Sequence, residues 1–242
     1  MSENPLLPHR KLSELYLRVL HCRELERELA RQRGAARKFG AREALLAATS
    51  IQMMPGDLLC GETGDTSAEE LAPLGKDGKT PGVLNASPGA RLITCAGAAR
   101  GITASIGGGL VLAYTRAGSV EPGWTEALAW ANEQRVPLIV VCEDFANGGT
   151  SGKAKPDTLS WPAMQTLAKK LRLPILAVDG ADAVAVYRVM QESVIRARHN
   201  DGPAIIWAVT SPKSTKLLPS KQPLGRLKSY LRTRSIPLPA QR

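Results

Sequence analysis

The chain has 242 residues, of which 43% are hydrophobic and only 4% aromatic, and its formal net charge is +10. A chain of this length and hydrophobic content can bury a sizeable core, so we expect a globular protein with a mainly aliphatic interior. No apolar run reaches the roughly 18–20 residues that cross a bilayer, and the polar start lacks a signal-peptide segment. The sequence therefore excludes a membrane partner and favours a cytoplasmic protein.

Cysteine and histidine positions bear on metal and disulfide chemistry. The four cysteines and three histidines are widely separated, and no CxxC pair or other metal-ligand spacing occurs. A disulfide framework is typical of much smaller secreted chains, so the sequence favours reduced, buried thiols. It predicts no metal site.

The first part of the chain is predicted to be helical. In residues 9–32, apolar side chains recur at helical spacing with charges between them, which predicts a long amphipathic helix. Residues 41–53 are apolar and alanine-rich, which predicts a second, buried helix that Pro55 and Gly56 end. We assign these segments to an N-terminal helical arm, residues 1–56.

A change of composition follows the arm. Residues 61–91 are dense in glycine, proline, serine, threonine and aspartate, which predicts an irregular loop region with a short helix at 67–71. The predicted α/β core, residues 92–210, then opens with a short helix and a strand at 110–114.

Three helix–strand pairs complete the predicted core. The predicted helices are 124–135, 161–172 and 182–200, and the predicted strands are 137–143, 174–179 and 203–210. Each strand is a continuous apolar run, which is typical of parallel strands covered on both faces. The sequence therefore predicts an α/β fold, with a doubly wound and mainly parallel sheet in a single domain of residues 1–242.

The C-terminal extension, residues 211–242, contains one predicted helix at 224–234 and is strongly basic. Residues 212–242 hold eight lysines and arginines and no acidic residue. Such a segment can bind nucleic acid or an acidic partner, but Tyr230 is its single aromatic residue and no nucleic-acid motif accompanies it. A solvated or subunit-contacting tail is the favoured interpretation, and a nucleic-acid partner is disfavoured.

Polar residues at predicted strand ends are the candidate site residues, because ligands of such sheets bind beyond the carboxyl ends of the strands. Arg116 and Glu121 follow one strand, and Glu143 and Asp144 end the next. The Arg116 guanidinium could pair with a phosphate in place of a metal ion, or it could fill a vacated pocket with a salt bridge. The acids could serve acid–base chemistry, but structural roles are favoured. Asp182 is predicted to cap a helix.

Five stretches of the sequence resemble one protein family. Residues 178–210, with Val-Asp-Gly, a helix and a Val-Thr strand, resemble the alpha subunit of the thiamine-diphosphate-dependent first component of 2-oxo acid dehydrogenase complexes. Residues 12–34, 40–59, 126–144 and 223–231 are similar to its opening helix, its Pro-Gly-Asp turn, its Glu-Ala-Leu helix and its closing helix. The resemblance implies the thiamine-diphosphate-binding fold, in a divergent and shortened relative of the pyruvate, branched-chain 2-oxo acid or acetoin dehydrogenases.

The chemistry of that family does not carry over to the matching positions. In the family, an Asp after one strand and an Asn at the end of the next hold the metal that anchors the cofactor's diphosphate. The counterparts here are Arg116 and Phe145, and neither side chain can ligate Mg²⁺. No histidine falls at a family site position. The resemblance implies thiamine diphosphate, whereas the missing ligands argue against its binding and against Mg²⁺. We expect no catalytic residue and a structural or regulatory subunit that is inactive by itself.

Partners and alternatives follow from the same resemblance. Family members pair with a homologous beta subunit, which implies a hetero-oligomer with a beta-type subunit or a homo-oligomer. One alternative is an active oxidoreductase subunit that decarboxylates a 2-oxo acid, in which Arg116, Glu121, Glu143 and Asp144 hold thiamine diphosphate. A further alternative is an anionic-polymer binder that uses the basic tail, with an affinity that falls steeply as salt rises.

Overall fold

A computed structural model gives the architecture of the chain. It describes residues 7–32, 42–62, 81–87, 89–104, 108–145, 157–210 and 218–239. The predicted short helix at 67–71 lies outside the described residues. The division of the chain into an arm, a loop region, a core and an extension stays a prediction.

The centre of the molecule is a six-stranded sheet in which all neighbouring strands are parallel. The strand order is β2-β1-β3-β4-β6-β5. The strands are β1 (Leu58–Cys60), β2 (Gly82–Val83), β3 (Val111–Arg116), β4 (Leu138–Phe145), β5 (Ile175–Asp179) and β6 (Ala204–Thr210). The prediction of an α/β fold with a parallel, doubly wound sheet is confirmed.

Helices cover both faces of this sheet. The helices are α1 (His9–Gln32), α2 (Glu43–Ser50), α3 (Arg91–Ala104), α4 (Trp124–Glu133), α5 (Trp161–Leu171), α6 (Ala183–Arg198) and α7 (Pro223–Thr233). Helices α1, α2, α6 and α7 pack in one apolar core, and α3, α4 and α5 pack in a second core on the opposite face. No helix in the described ranges is both long and apolar enough to span a bilayer.

The apolar patterns of the sequence explain most of these elements. All eight residues of α2 are buried, as expected for an alanine- and leucine-rich helix. In α1, the buried side chains recur three and four positions apart on one side of the helix. Strands β3, β4 and β6 are buried along nearly their whole length, whereas β5 is only half-buried because it forms the edge of the sheet.

Several details differ from the sequence predictions. Helix α2 is shorter than the predicted 41–53. Strands β1 and β2 were missed, because runs of three and two residues carry no period of their own. Strand β3 extends through Arg116, so this residue ends a strand and does not lie in the following loop.

The glycines before β3 permit a close approach of two backbones. A Cβ atom on Gly109 would lie 2.5 Å from the carbonyl oxygen of Gly56. This contact brings the turn before β1 against the start of β3.

Candidate functional site

The topology places a crevice at the carboxyl ends of β1 and β3. The chain passes from β1 to β2 on one side and then crosses to β3 on the other side of β1. Strand order therefore reverses between β1 and β3, and such switch points are where open α/β sheets bind ligands. Residues beyond Cys60 and Arg116 line this crevice, so the side chains found there decide what it can bind.

A buried ion pair between Arg91 and Glu121 lies at the crevice. Glu121 Oε1 accepts hydrogen bonds from Arg91 Nε at 3.0 Å and Nη2 at 2.5 Å. Arg91 Nη1 donates to the carbonyl oxygens of Gly61 at 2.7 Å and Tyr114 at 2.6 Å. Burial lowers the pKa of Arg91, but the adjacent carboxylate of Glu121 more than offsets it, so the net pKa is raised. This guanidinium joins the ends of β1 and β3 to the loop after β3.

A second ion pair lies nearer the mouth of the crevice. Arg116 Nη2 lies 3.2 Å from Glu62 Oε2, and the Ser119 hydroxyl donates to Glu62 Oε1 at 2.5 Å. The Arg116 guanidinium also lies over the ring of Phe145, 5.5 Å from its centroid. The Arg116 side chain is 26% exposed and that of Glu62 is 11% exposed. Arg116 and Glu62 therefore occupy the space between the strand ends.

A third ion pair lies at the end of β4. Arg42 Nη2 donates to Glu143 Oε1 at 2.5 Å, and both side chains are almost fully buried. Arg42 directly precedes α2, so this contact ties the helical layer to the sheet. The neighbouring Asp144 accepts a hydrogen bond from Trp207 Nε1 at 3.0 Å.

Two thiols lie beside the Arg91 pair. Cys60 ends β1 and Cys95 lies one turn into α3, and both are buried and reduced. A hydrogen bond with the Cys95 thiol lowers the pKa of Cys60 to about 7, with help from Arg91 and against the effect of burial. The same hydrogen bond and burial raise the pKa of Cys95. The crevice thus favours negative charge on one sulfur atom next to a guanidinium.

The structure places the four predicted candidates close together but gives each of them a protein partner. Arg116 and Glu121 lie in the crevice, and Glu143 and Asp144 lie at the end of the adjacent strand. Their role in cofactor binding stays a prediction. Sequence reasoning missed three of the partners: Glu62, Arg42 and Arg91. Arg91 carried a signal, since a cation in the first turn of a helix opposes the helix dipole unless a carboxylate lies nearby.

The predicted strand ends do not all converge. Because β6 lies between β4 and β5, Asp179 ends the edge strand and is distant from the crevice. There Arg226 of α7 pairs with Asp179 at 2.6 Å and with Asp182 at 3.3 Å. Asp182 also accepts from the backbone N–H groups of Val184 and Ala185, which confirms the predicted helix cap.

Comparison with known proteins finds a family that resembles this α/β core. The sequence profile described as "Dehydrogenase E1 component" matches residues 109–211. Residues 109–211 are therefore similar to that family. The match begins just before β3 and ends just after β6, so it covers the strands that carry Arg116 and Glu143.

Curated relatives agree on the subunit. The pyruvate dehydrogenase E1 component subunit alpha of Porphyra purpurea is 36% identical over 85 residues, 35% of this chain and 24% of the relative. The protein of the same name from Staphylococcus epidermidis is 30% identical over 126 residues, 50% of this chain and 33% of the relative. The chain is therefore E1-alpha-like, partial and divergent, and its match spans about a quarter to a third of these relatives.

A solved structure supports the fold. A protein from Mycobacterium smegmatis, described as a candidate thiamin diphosphate-dependent enzyme, superposes with a TM-score of 0.51 at 16% identity. The superposition covers 72% of this chain and 32% of that one. At this identity the likeness shows the thiamin-diphosphate-enzyme fold and no more.

The side chains of the crevice do not fit a metal-bound diphosphate. Mg²⁺ needs several oxygen ligands that are free to point at it. Glu62 faces Arg116, and Oε1 of Glu121 accepts hydrogen bonds from Arg91. No group of three or more histidine, cysteine, aspartate and glutamate side chains in the described ranges is arranged to hold a metal ion.

Proposed function

We propose that this E1-alpha-like chain is a subunit whose cofactor crevice has become a set of structural ion pairs, and which is inactive by itself. It would serve an oligomer as a structural or regulatory subunit. The contact between Arg116 and Glu62, at the end of β3, carries this proposal. A guanidinium stands there with its own carboxylate partner, in the position where the family resemblance implies a metal-ligating aspartate.

The cost of reopening the crevice supports the same conclusion. Arg91 is 2% exposed, and its hydrogen bonds go to Glu121 and to two backbone carbonyl groups. If a diphosphate displaced Glu121, a buried carboxylate would lose its partner, and breaking such pairs costs about 3–5 kcal/mol. Cofactor binding would have to offset this loss before it could stabilise the complex.

A beta-type subunit is the partner that the family suggests. The matched relatives are named as alpha subunits, and this chain matches only a part of their length. We therefore propose a hetero-oligomer with a beta-type subunit, or a homo-oligomer. In either assembly, a chain without its own cofactor could still act as a subunit.

The alternative function is an active subunit that binds thiamine diphosphate without a metal ion. The Arg116 side chain is 26% exposed, so its guanidinium could turn from Glu62 to a phosphate. It would then supply the positive charge that Mg²⁺ supplies elsewhere. A beta-type subunit would complete the site for 2-oxo acid decarboxylation.

Titration with thiamine diphosphate tests the proposal against this alternative. The purified chain is titrated by calorimetry and by thermal unfolding, with and without Mg²⁺, alone and with a co-expressed beta-type subunit. A bound ligand at 100 times its Kd stabilises the native state by about 2.7 kcal/mol, or roughly 5–10 °C in Tm for a chain of this size. We expect no shift under any of these conditions.

The other outcomes identify which part of the proposal fails. A shift that requires Mg²⁺ would contradict the loss of the metal site. A shift without Mg²⁺ that Arg116→Ala abolishes would support the active alternative. Arg135→Ala is the matched control, because Arg135 is an exposed arginine outside the crevice.

A further inference from the structure

A groove at the opposite end of the sheet gathers three cationic side chains around the start of β5. It has a volume of about 670 Å³, and its walls include Lys169, Arg172, Pro174, Ile175 and Arg196. No acidic residue lines it among the described residues. The side chains of the three cations form no ion pair or hydrogen bond within the described part of the chain.

These cations come from both faces of the sheet. Lys169 is in the last turn of α5, and Arg172 follows that helix in the left-handed conformation, with φ 55°. Arg196 is in the last turn of α6, which packs on the other face. A helix dipole accounts for a cation at each helix end taken singly. It does not account for one groove that brings three like charges to the edge of the sheet, where they repel each other.

The backbone at this edge has hydrogen-bonding groups that no described residue uses. Within the ranges that the structure describes, strand β5 pairs on one side only, with β6. Ile205 N–H donates to the Pro174 carbonyl at 3.0 Å and Gly180 N–H to the Val209 carbonyl at 2.7 Å, so even-numbered residues of β5 face β6. In a parallel ladder the groups of Ile175 and Ala177 must then point away from the sheet.

We propose that this edge binds an extended acidic segment of a partner protein, which adds as a strand beside β5. Successive side chains of a strand point to opposite faces of a sheet. Acidic side chains of the added segment would meet Lys169 and Arg172 on one face and Arg196 on the other. Its backbone would pair with Ile175 and Ala177, as in other cases of strand addition. The groove is open, which suits an extended chain.

Charged residues also protect sheet edges from unwanted pairing, and the experiment must separate the two roles. The probe is a fluorescein-labelled ten-residue peptide of Glu-Glu-Thr-Thr repeats, because adjacent glutamates present one carboxylate to each face. Fluorescence anisotropy with the full chain should show saturable binding that weakens as NaCl rises. The same peptide with glutamine in place of glutamate should not bind.

Variants of the groove locate the site. Arg172→Gln and Arg196→Gln should together weaken binding by about tenfold, as expected for the loss of two exposed ion pairs. Arg135→Gln is the matched control, since Arg135 also follows a helix in the left-handed conformation, with φ 51°, but lies outside the groove. Binding that survives the double variant, or that Lys228→Gln with Arg232→Gln abolishes instead, would overturn the proposal in favour of the basic tail.

Backbone methylation tests strand addition itself. One version of the peptide is N-methylated at every residue, and a second only at alternate residues. The first cannot donate a backbone hydrogen bond to β5 and should lose binding, whereas the second keeps one free edge and should still bind. Equal affinities would mean that charge alone attracts the peptide, and no binding at 50 mM NaCl would mean that the cations only guard the edge.

Discussion

Two regions at the carboxyl edge of the same sheet place an arginine beside carboxylates, and they differ in burial. In the crevice, the side chains of Arg91 and Glu121 are 2% and 7% exposed. At the end of β5, the side chains of Arg226 and Asp179 are 35% and 53% exposed. Each pair joins an arginine to a carboxylate, but water competes for the second pair and not for the first.

The difference shows that strand order decides whether a charged side chain needs a partner within the protein or is solvated by water. Inner strands β1, β3 and β4 end beneath helices and loops, so a charge there must have a partner inside the protein. Strand β5 is at the edge, where an unpaired charge would simply be solvated. Ion pairs in the crevice can therefore stabilise the fold, whereas the edge gains little from its pair.

The largest expected effect comes from breaking the buried pair. Arg91→Met should lower the free energy of unfolding by about 3–5 kcal/mol, because Glu121 would remain buried without a partner. The carbonyls of Gly61 and Tyr114 would also lose their donor. Urea unfolding followed by circular dichroism measures the change. Adding Glu121→Gln should recover part of it. A loss below about 1 kcal/mol for Arg91→Met would contradict the structural role of this pair.

A smaller effect is expected from the thiol beside that pair. The pKa of Cys60 falls from 9.0 to about 7, chiefly through the hydrogen bond with Cys95. Between pH 7 and 9 native Cys60 has therefore lost a proton that it keeps in the unfolded state, so its contribution to stability should rise with pH. The rise should reach about 1–2 kcal/mol.

The pH dependence of the unfolding free energy can be assigned to one thiol by comparing two buried cysteines. Unfolding measured at pH 7, 8 and 9 should show the rise in the native sequence and lose it in Cys60→Ala. Burial raises the pKa of Cys22 to about 12, so Cys22→Ala should keep the rise and steepen it slightly near pH 9. A slope that is the same in all three proteins would mean that Cys60 does not ionise in this range.

The smallest effect is expected at the edge. Arg226→Ala should lower the free energy of unfolding by less than about 1 kcal/mol, and 1 M NaCl should reduce the difference further. Arg188→Ala removes an exposed arginine of α6 that has no ion pair within the described residues, and it serves as the reference. A loss above about 2 kcal/mol at Arg226 would mean that burial does not separate the two regions.

Local patterns predicted the elements better than the site. Local patterns depend only on neighbouring residues, so the sequence could predict the elements that they form. These patterns are the apolar runs of β3, β4 and β6 and the helical spacing of α1. Asp182 was identified as a helix cap for the same reason, since its partners lie two and three positions away. A salt bridge was one of the two interpretations of Arg116, and the structure shows one. The sequence did not identify Glu62 as the partner.

By itself, the sequence predicted a parallel sheet, and its resemblance to the family aligns arginine and phenylalanine with the family's metal ligands. Only the tertiary structure decided which charges meet. Arg91 pairs across 30 positions and Arg42 across 101, and β6 enters between β4 and β5 to remove Asp179 from the crevice. Such contacts depend on strand order, and strand order is set by how whole helices and strands pack and not by the spacing of residues along one segment.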